Sequence, residues 1–325
     1  MKWRSSEVPP GEWPIDLLRR GYRIERQDSK LRVSPELLKC VGYLAEAIQL
    51  DSEAIDIDPF GTGFFIAIPS AAHPNKSFCA FVTARHLIAD HKNLKLCLIV
   101  NGRSGQGIVV EIPENVIWWE HPSDKTADLV LMVFDHQPKD FDIISMHIRD
   151  FLTAERMLKA DIGVGDEVFF PGLFTKAPGN GRMTPIVRNG NIALIPSGEI
   201  QVESSFADVY LVEAHSLGGM SGSPVFVRET VRIAPYTSDD TPSVAFGIGR
   251  LYLMGLMHGH WDINEADINK PSFVHDRPRG VNMGIAVVVP ASKILDIVNR
   301  PELVASRARA DARISEAISP GPDAV

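Results

Sequence analysis

Three residues of this chain, taken with their neighbours, have the types that nucleophilic hydrolysis requires. Ser221 stands in Gly218-Gly219-Met220-Ser221-Gly222-Ser223-Pro224, between two apolar runs. Glycines on both sides of a serine permit positive φ and leave backbone N–H groups free to converge on one point, where a developing oxyanion could be received. Alone, the segment reads equally well as a glycine-rich turn. His86 ends Thr83-Ala84-Arg85-His86, where an apolar strand stops and a short helical turn begins. Asp128 opens Asp-Leu-Val-Leu-Met-Val-Phe, at the mouth of a buried strand, a place where aspartate is also an ordinary turn residue. The combination is more specific: the order is His, Asp, Ser, with separations of 42 and 93 residues, two in one half of the chain and the third in the other. That arrangement is one solution of the triad geometry, in which an imidazole accepts the serine proton and a carboxylate fixes the imidazole's tautomer. An α/β-hydrolase elbow, G-x-S-x-G, does not fit. Ser223 stands where its last glycine is needed, and the following Pro-Val-Phe-Val is a strand pattern rather than a helix.

The elements that must position these residues are short strands. Apolar, β-branched and aromatic runs occur at 39–45, 61–69, 77–84, 94–100, 107–112 and 128–135, then at 166–174, 191–196, 208–215, 223–227, 250–258 and 283–289. These twelve fall into two groups of six around residues 136–163, which contain Pro138 and a helix-like stretch, Ile148 to Ala160. Helical patterns otherwise lie near the ends, at 15–22 and at 291–300 between Pro290 and Pro301. From Ser306 onward apolar residues are sparse, which predicts a frayed tail.

Composition narrows the classes. A chain of 325 residues with 45% hydrophobic and 23% charged residues can bury a large core without lipid. No apolar run approaches the ~20 residues of a membrane span, and the first 18 residues lack the apolar centre of a secretory signal, so no membrane association and a cytoplasmic location are expected. A net charge of -8 argues against nucleic-acid binding. Three cysteines, Cys40, Cys79 and Cys97, with no CxxC pair, suggest buried free thiols rather than disulfides or zinc ligation. His258, His260 and Asp262 could be read as metal ligands, two of them on one face of a strand, but no third strong ligand and no HExxH accompanies them, and neither metal nor cofactor is expected.

The motifs together resemble the trypsin/chymotrypsin superfamily of serine peptidases, in particular its bacterial, disulfide-free members. The matching segments are Gly61-Thr62-Gly63-Phe64-Phe65, Thr83-Ala84-Arg85-His86, Asp128-Leu129-Val130-Leu131 and Gly219-Met220-Ser221-Gly222-Ser223-Pro224, with weaker matches at 164–168 and 284–290; the likeness spans about residues 36–300. The resemblance implies an all-β fold of two six-stranded antiparallel Greek-key barrels with short N- and C-terminal helices. Its parts would be an N-terminal extension (1–35), a first barrel (36–136), a connecting segment (137–163), a second barrel with C-terminal helix (164–300) and a flexible tail (301–325). It implies Ser221 as nucleophile, His86 as general base and acid, Asp128 as orienting carboxylate, and the N–H groups of Gly219 and Ser221 as the oxyanion hole. His215 would lie near the base of the specificity pocket and Met257 on its wall, with His258 toward the Asp128 side of the substrate site. A pocket so lined lacks a carboxylate for Arg or Lys. Two departures stand out: Met220 where the family most often has Asp, and Ser223 in place of glycine. The implied function is a serine endopeptidase acting on protein or peptide substrates. The alternative is a catalytically silent double barrel that binds peptides in the same cleft.

Overall fold

All twelve predicted runs contain a strand in the computed structural model, which describes residues 33–49, 55–135, 141–179, 181–202, 205–214, 219–229, 232–233, 244–245, 250–264 and 280–318. Residues 15–22 and His215 lie outside them. Pro35–Val325 forms one compact unit that contains both lobes.

The first lobe is built from β1 (Val41–Gln49), β2 (Ile55–Pro69), β3 (Ser77–Thr83), β4 (Leu96–Asn101), β5 (Gly107–Glu111), β6 (Trp119–Glu120), β7 (Val130–Val133) and β8 (Met146–His147). They form one eight-stranded sheet in the order β5-β4-β1-β2-β3-β7-β6, antiparallel along that path, with β8 parallel to β2. Six strands were expected. The two additional ones, β6 and β8, have two residues each, too few to leave a period-2 signal in the sequence. Phe64, Phe65 and Phe81 are completely buried, and the Phe65 ring packs 5.2 Å from Phe81 and 5.0 Å from Phe134. A short helix, α1 (Arg85–Asp90), follows β3 and carries His86 in its first turn.

The second lobe closes. β9 (Glu167–Gly172), β10 (Ile186–Leu194), β11 (Ile200–Val202), β12 (Ser205–Ala207), β13 (Tyr210–Glu213), β14 (Pro224–Arg228), β15 (Arg232–Ile233), β16 (Val244–Ala245), β17 (Leu251–Asn264) and β18 (Gly280–Pro290) supply its strands. Six of them form a closed antiparallel barrel, β10-β13-β18-β17-β14-β9, while β11–β12 and β15–β16 are separate hairpin pairs. Closure leaves no free edge, and the interior holds Val168, Phe170, Val225, Val227, Met254, Met257 and Val288. The fold is thus mainly β, with the closed six-stranded barrel expected for the second half. Between the lobes lie a 3-10 turn (Ile148–Asp150) and α2 (Ala154–Ala160), whose start is capped by the Thr153 hydroxyl accepting from Arg156 N–H. After β18 comes α3 (Ala291–Val298), which buries Ile294, Ile297 and Val298.

The C-terminal segment departs from expectation. Residues expected as a tail form α4 (Pro301–Ile318). Low apolar content predicts fraying, but Ala, Arg and Glu are strong helix formers, and the helix buries Leu303 together with a polar anchor. Buried Asp311 accepts a 2.6 Å hydrogen bond from the equally buried Ser70 hydroxyl, at the end of β2. The three cysteines are free; burial pushes the Cys97 thiol up to about 11, and those of Cys40 and Cys79 upward as well.

The Ser70–Asp311 bond yields a prediction. Ser70→Ala leaves a buried carboxylate oxygen without its donor and should lower unfolding free energy by about 1.5–3 kcal/mol in urea titration. An unchanged midpoint would show that α4 is not anchored there.

Candidate active site

His86 and Asp128 come together where β3 ends and β7 begins. Asp128 precedes β7, and its side chain is only 5% exposed, whereas the His86 ring is 35% exposed. The carboxylate grips the histidine twice: Oδ1 accepts from the His86 backbone N–H at 2.9 Å, and Oδ2 lies 2.7 Å from Nδ1. Burial alone would raise the Asp128 carboxyl, yet the hydrogen bonds from His258 and His86 outweigh it and hold the group well below the usual carboxylate range. An ionised carboxylate only accepts, so the proton between it and His86 sits on Nδ1, and in the neutral imidazole Nε2 carries the lone pair.

The loop that bears Asp128 is tied to the second lobe. Asp124 Oδ1 accepts from Thr126 N–H (2.8 Å), the Thr126 hydroxyl (2.6 Å) and Ala127 N–H (3.2 Å). Its other oxygen accepts from Lys293 of α3, a nearly buried ammonium that also lies 3.5 Å from Asp208. Burial opposes the charge on Asp124, but the Lys293 and Thr126 bonds prevail and hold its carboxyl far below the usual range. His121 Nδ1 accepts from Asp124 N–H at 2.9 Å, which leaves Nε2–H to donate to Asp296 of α3 at 3.1 Å.

Ser221 is presented by a loop that, among the described residues, hydrogen-bonds to the first lobe through Thr62 of β2. The Thr62 N–H donates to Ser221 O at 3.0 Å, and its hydroxyl donates to Gly219 O at 2.6 Å while accepting from Leu173 N–H at 2.9 Å. Its carbonyl accepts from the Thr83 hydroxyl at 2.7 Å, three residues before His86. Gly219 and Gly222 have φ of 92° and 82°. A Cβ at position 222 would also collide with the Thr62 carbonyl, so only glycine lets the loop lie this close. On the far side, Gly222 N–H donates to Met257 O at 2.8 Å and Met257 N–H to Ser223 O at 2.9 Å. The serine loop is thereby held between the strand end leading to His86 and the residue preceding His258. Among the described residues, neither the Gly219 nor the Ser221 N–H has a partner.

The two departures from the family pattern take different places. Met220 is completely buried in the barrel core against Gly172, so an apolar plug orders the loop from below. Ser223 is also completely buried, but its Oγ fills the space beside Gly172 with no hydrogen-bond partner among the described residues.

Two of the three expected substrate-binding residues, Met257 and His258, lie within the described residues. Met257, expected on a pocket wall, is fully buried in the barrel core. His258, expected toward the Asp128 side of the substrate site, has Nδ1 2.9 Å from Asp128 Oδ2, the same oxygen that faces His86. His86, Asp128 and His258 bring two imidazoles and a carboxylate within 4.8 Å of one another, a donor set that suits a divalent cation. Nδ1 coordination would first require displacing the protons shared with Asp128. Thr62, Asp124 and Lys293 were not singled out as site residues. The sequence signal for Thr62 was its placement between two glycines.

No protein-family model and no curated protein matches the chain. Among solved structures, the MamO protease domain from Magnetospirillum magneticum (apo form) is similar at 12% identity, covering 81% of this chain and 97% of that one, with a TM-score of 0.46. The Rv3671c protease in an inactive form is similar at 13% identity, covering 82% and 94%, with a TM-score of 0.41. A mutant of Rv3671c from M. tuberculosis H37Rv, also in an inactive form, aligns at 13% identity over 84% and 92%, with a TM-score of 0.41. At such identity the chain's own residues must carry the chemistry. No described helix is long and apolar enough to cross a membrane.

Two buried hydroxyls lead to opposite expectations. Thr62→Val strips the partner from Gly219 O and Leu173 N–H and should cost about 1–3 kcal/mol for each group left unpaired. Ser223→Ala removes an unpartnered buried hydroxyl and should leave stability unchanged or raise it by about 1 kcal/mol. Denaturant titration of both variants checks the pair; equal destabilisation would contradict the contrast. Because the folded carboxyl of Asp128 titrates below its unfolded value near ~3.9, its contribution is present above that value and fades as pH falls through the folded one. The stability difference between wild type and Asp128→Asn should therefore shrink in strong acid.

Proposed function

We propose that this protein is a serine endopeptidase of the trypsin-like class, with Ser221 as nucleophile, His86 as general base and acid, and Asp128 as the carboxylate that orients His86. The observation that carries the reading is the twofold hold of one buried carboxylate on His86, through the backbone N–H and through Nδ1. In the neutral imidazole that hold puts the lone pair on Nε2, the state a general base requires.

In the proposed reaction, His86 Nε2 takes the Ser221 hydroxyl proton as Oγ attacks the carbonyl carbon of the scissile peptide bond. The carbonyl π electrons move to oxygen, and that oxyanion is received by the N–H groups of Gly219 and Ser221, which have no other partner among the described residues. The tetrahedral intermediate collapses as the C–N bond breaks and His86 returns the proton to the departing amine. Water then attacks the acyl-Ser221 ester by the same sequence, releasing the acid and the free serine. The loop that performs this is ordered by Thr62, by the buried Met220 and by the Gly222–Met257 bond. None of these contacts requires a newly cut N-terminus.

A fluorophosphonate probe tests the assignment, since phosphonylation requires an activated serine. Intact-mass analysis should show one adduct on the full 325-residue chain, mapped to Ser221 and absent from Ser221→Ala and His86→Ala. Peptide cleavage by Asp128→Asn should be slower by on the order of 10^4 in kcat, because an amide cannot hold the required tautomer. No adduct on wild-type protein, with peptide still bound in the cleft, would favour the silent double barrel; adduct found only on chains trimmed within the first 60 residues would refute reaction without processing.

A further inference from the structure

Asp128 does not serve one histidine but two. His86 Nδ1 at 2.7 Å and His258 Nδ1 at 2.9 Å both face Oδ2, while Oδ1 accepts from the His86 backbone. The two rings reach that oxygen from different directions, with centroids 5.7 Å apart and planes at 60°, so both N–H groups can point at its separate lone pairs. The approach of His258 is built into the backbone. β17 pairs with β18 through Met257↔Val288 and Gly259↔Val287, which leaves His258 as the extra residue of a bulge. A bulge breaks the alternation of a strand and re-aims one side chain. The preceding residue, Met257, is fixed on both its N–H and its carbonyl by the serine loop. The bulge is therefore registered against Ser221 on one side while its side chain reaches Asp128 on the other.

The geometry points to His258 as a positioning residue that locks the Asp128 carboxylate by sharing Oδ2 with His86. This rests on the peptidase reading for its catalytic consequence, though not for its geometry. With three donors on two oxygens the carboxylate cannot rotate without breaking a bond. The Oδ2 that must meet the His86 ring is thus fixed before substrate arrives. An ionised Asp128 also dictates the tautomer of a neutral His258: the proton is on Nδ1 and the lone pair on Nε2. Both imidazoles hold the same tautomer, set by one oxygen. A side chain that merely lined a substrate cleft would have no reason to hold that tautomer.

Two measurements separate this role from substrate contact and from simple packing. In protein labelled with 15N-histidine, above neutral pH, the ring signals of both His86 and His258 should report Nδ1–H with unprotonated Nε2. Assignment uses His86→Gln and His258→Asn, and the experiment reads the geometry whether or not the protein cleaves peptides. The Nε2–H tautomer at His258 would overturn the proposal. In peptide cleavage, His258→Leu removes the donor and should lower kcat about ten- to hundredfold, the effect of losing one hydrogen bond to a charged group, with KM nearly unchanged. His258→Asn places an amide N–H close to where Nδ1 was and should recover most of that loss. Equal kcat in both variants and wild type, or a rise in KM with kcat intact, would overturn it, and a thermal melt of each variant guards against reading misfolding as catalysis. Absence of all cleavage in wild type, with both Nδ1–H signals present, would sink the peptidase reading while sustaining the shared carboxylate.

Discussion

A carboxylate taken out of water must be surrounded by donors or give up its charge, and the candidate site is organised around meeting that demand at Asp128. The first lobe supplies the His86 N–H and Nδ1–H; the second supplies His258 from β17. Because the donors come from both lobes, the charge is stable only when the lobes are in register. The Asp124–Lys293 ion pair and the His121–Asp296 bond hold the same register a few residues upstream, so the strand carrying Asp128 enters the site from a fixed direction.

Thr62 performs the complementary task for the serine loop. It lies in the middle of β2, completely buried, and three of its polar atoms face three different segments: the serine loop, Leu173 at the end of β9, and Thr83 at the end of β3. Met220 then anchors the loop downward into the barrel core. An apolar side chain such as Met220 docks by burial alone and needs no ion pair. The loop geometry is consequently a property of the folded barrel.

Local signals carried far in this chain because its strands are apolar and closely punctuated. Each of the twelve predicted runs contains a strand, and His86 falls at the expected strand-to-helix junction. Four features were less legible. The two-residue strands β6 and β8 are too short to show a period. Helix α4 was obscured because its residues were weighed by apolarity rather than helix propensity, and its Ser70–Asp311 anchor joins residues 241 positions apart. The placement of His258 toward Asp128 is legible, but its bond to Oδ2 is not, because a bulge that re-aims one side chain leaves no mark in an alternating pattern. The resemblance implies a pocket wall for Met257, whereas the residue is buried in the barrel core, a placement that a motif match does not resolve.

The claim on which the rest of the functional account depends is that Ser221 is an activated nucleophile on a loop already ordered in the folded chain. Stopped-flow mixing of the purified protein with a p-nitrophenyl ester tests it directly, because acylation then precedes slower hydrolysis. The account predicts a burst of nitrophenol close to one equivalent per chain, followed by a slower linear phase, with the acyl group recovered on the peptide containing Ser221. A linear release with no burst and no acyl group on that peptide would contradict it.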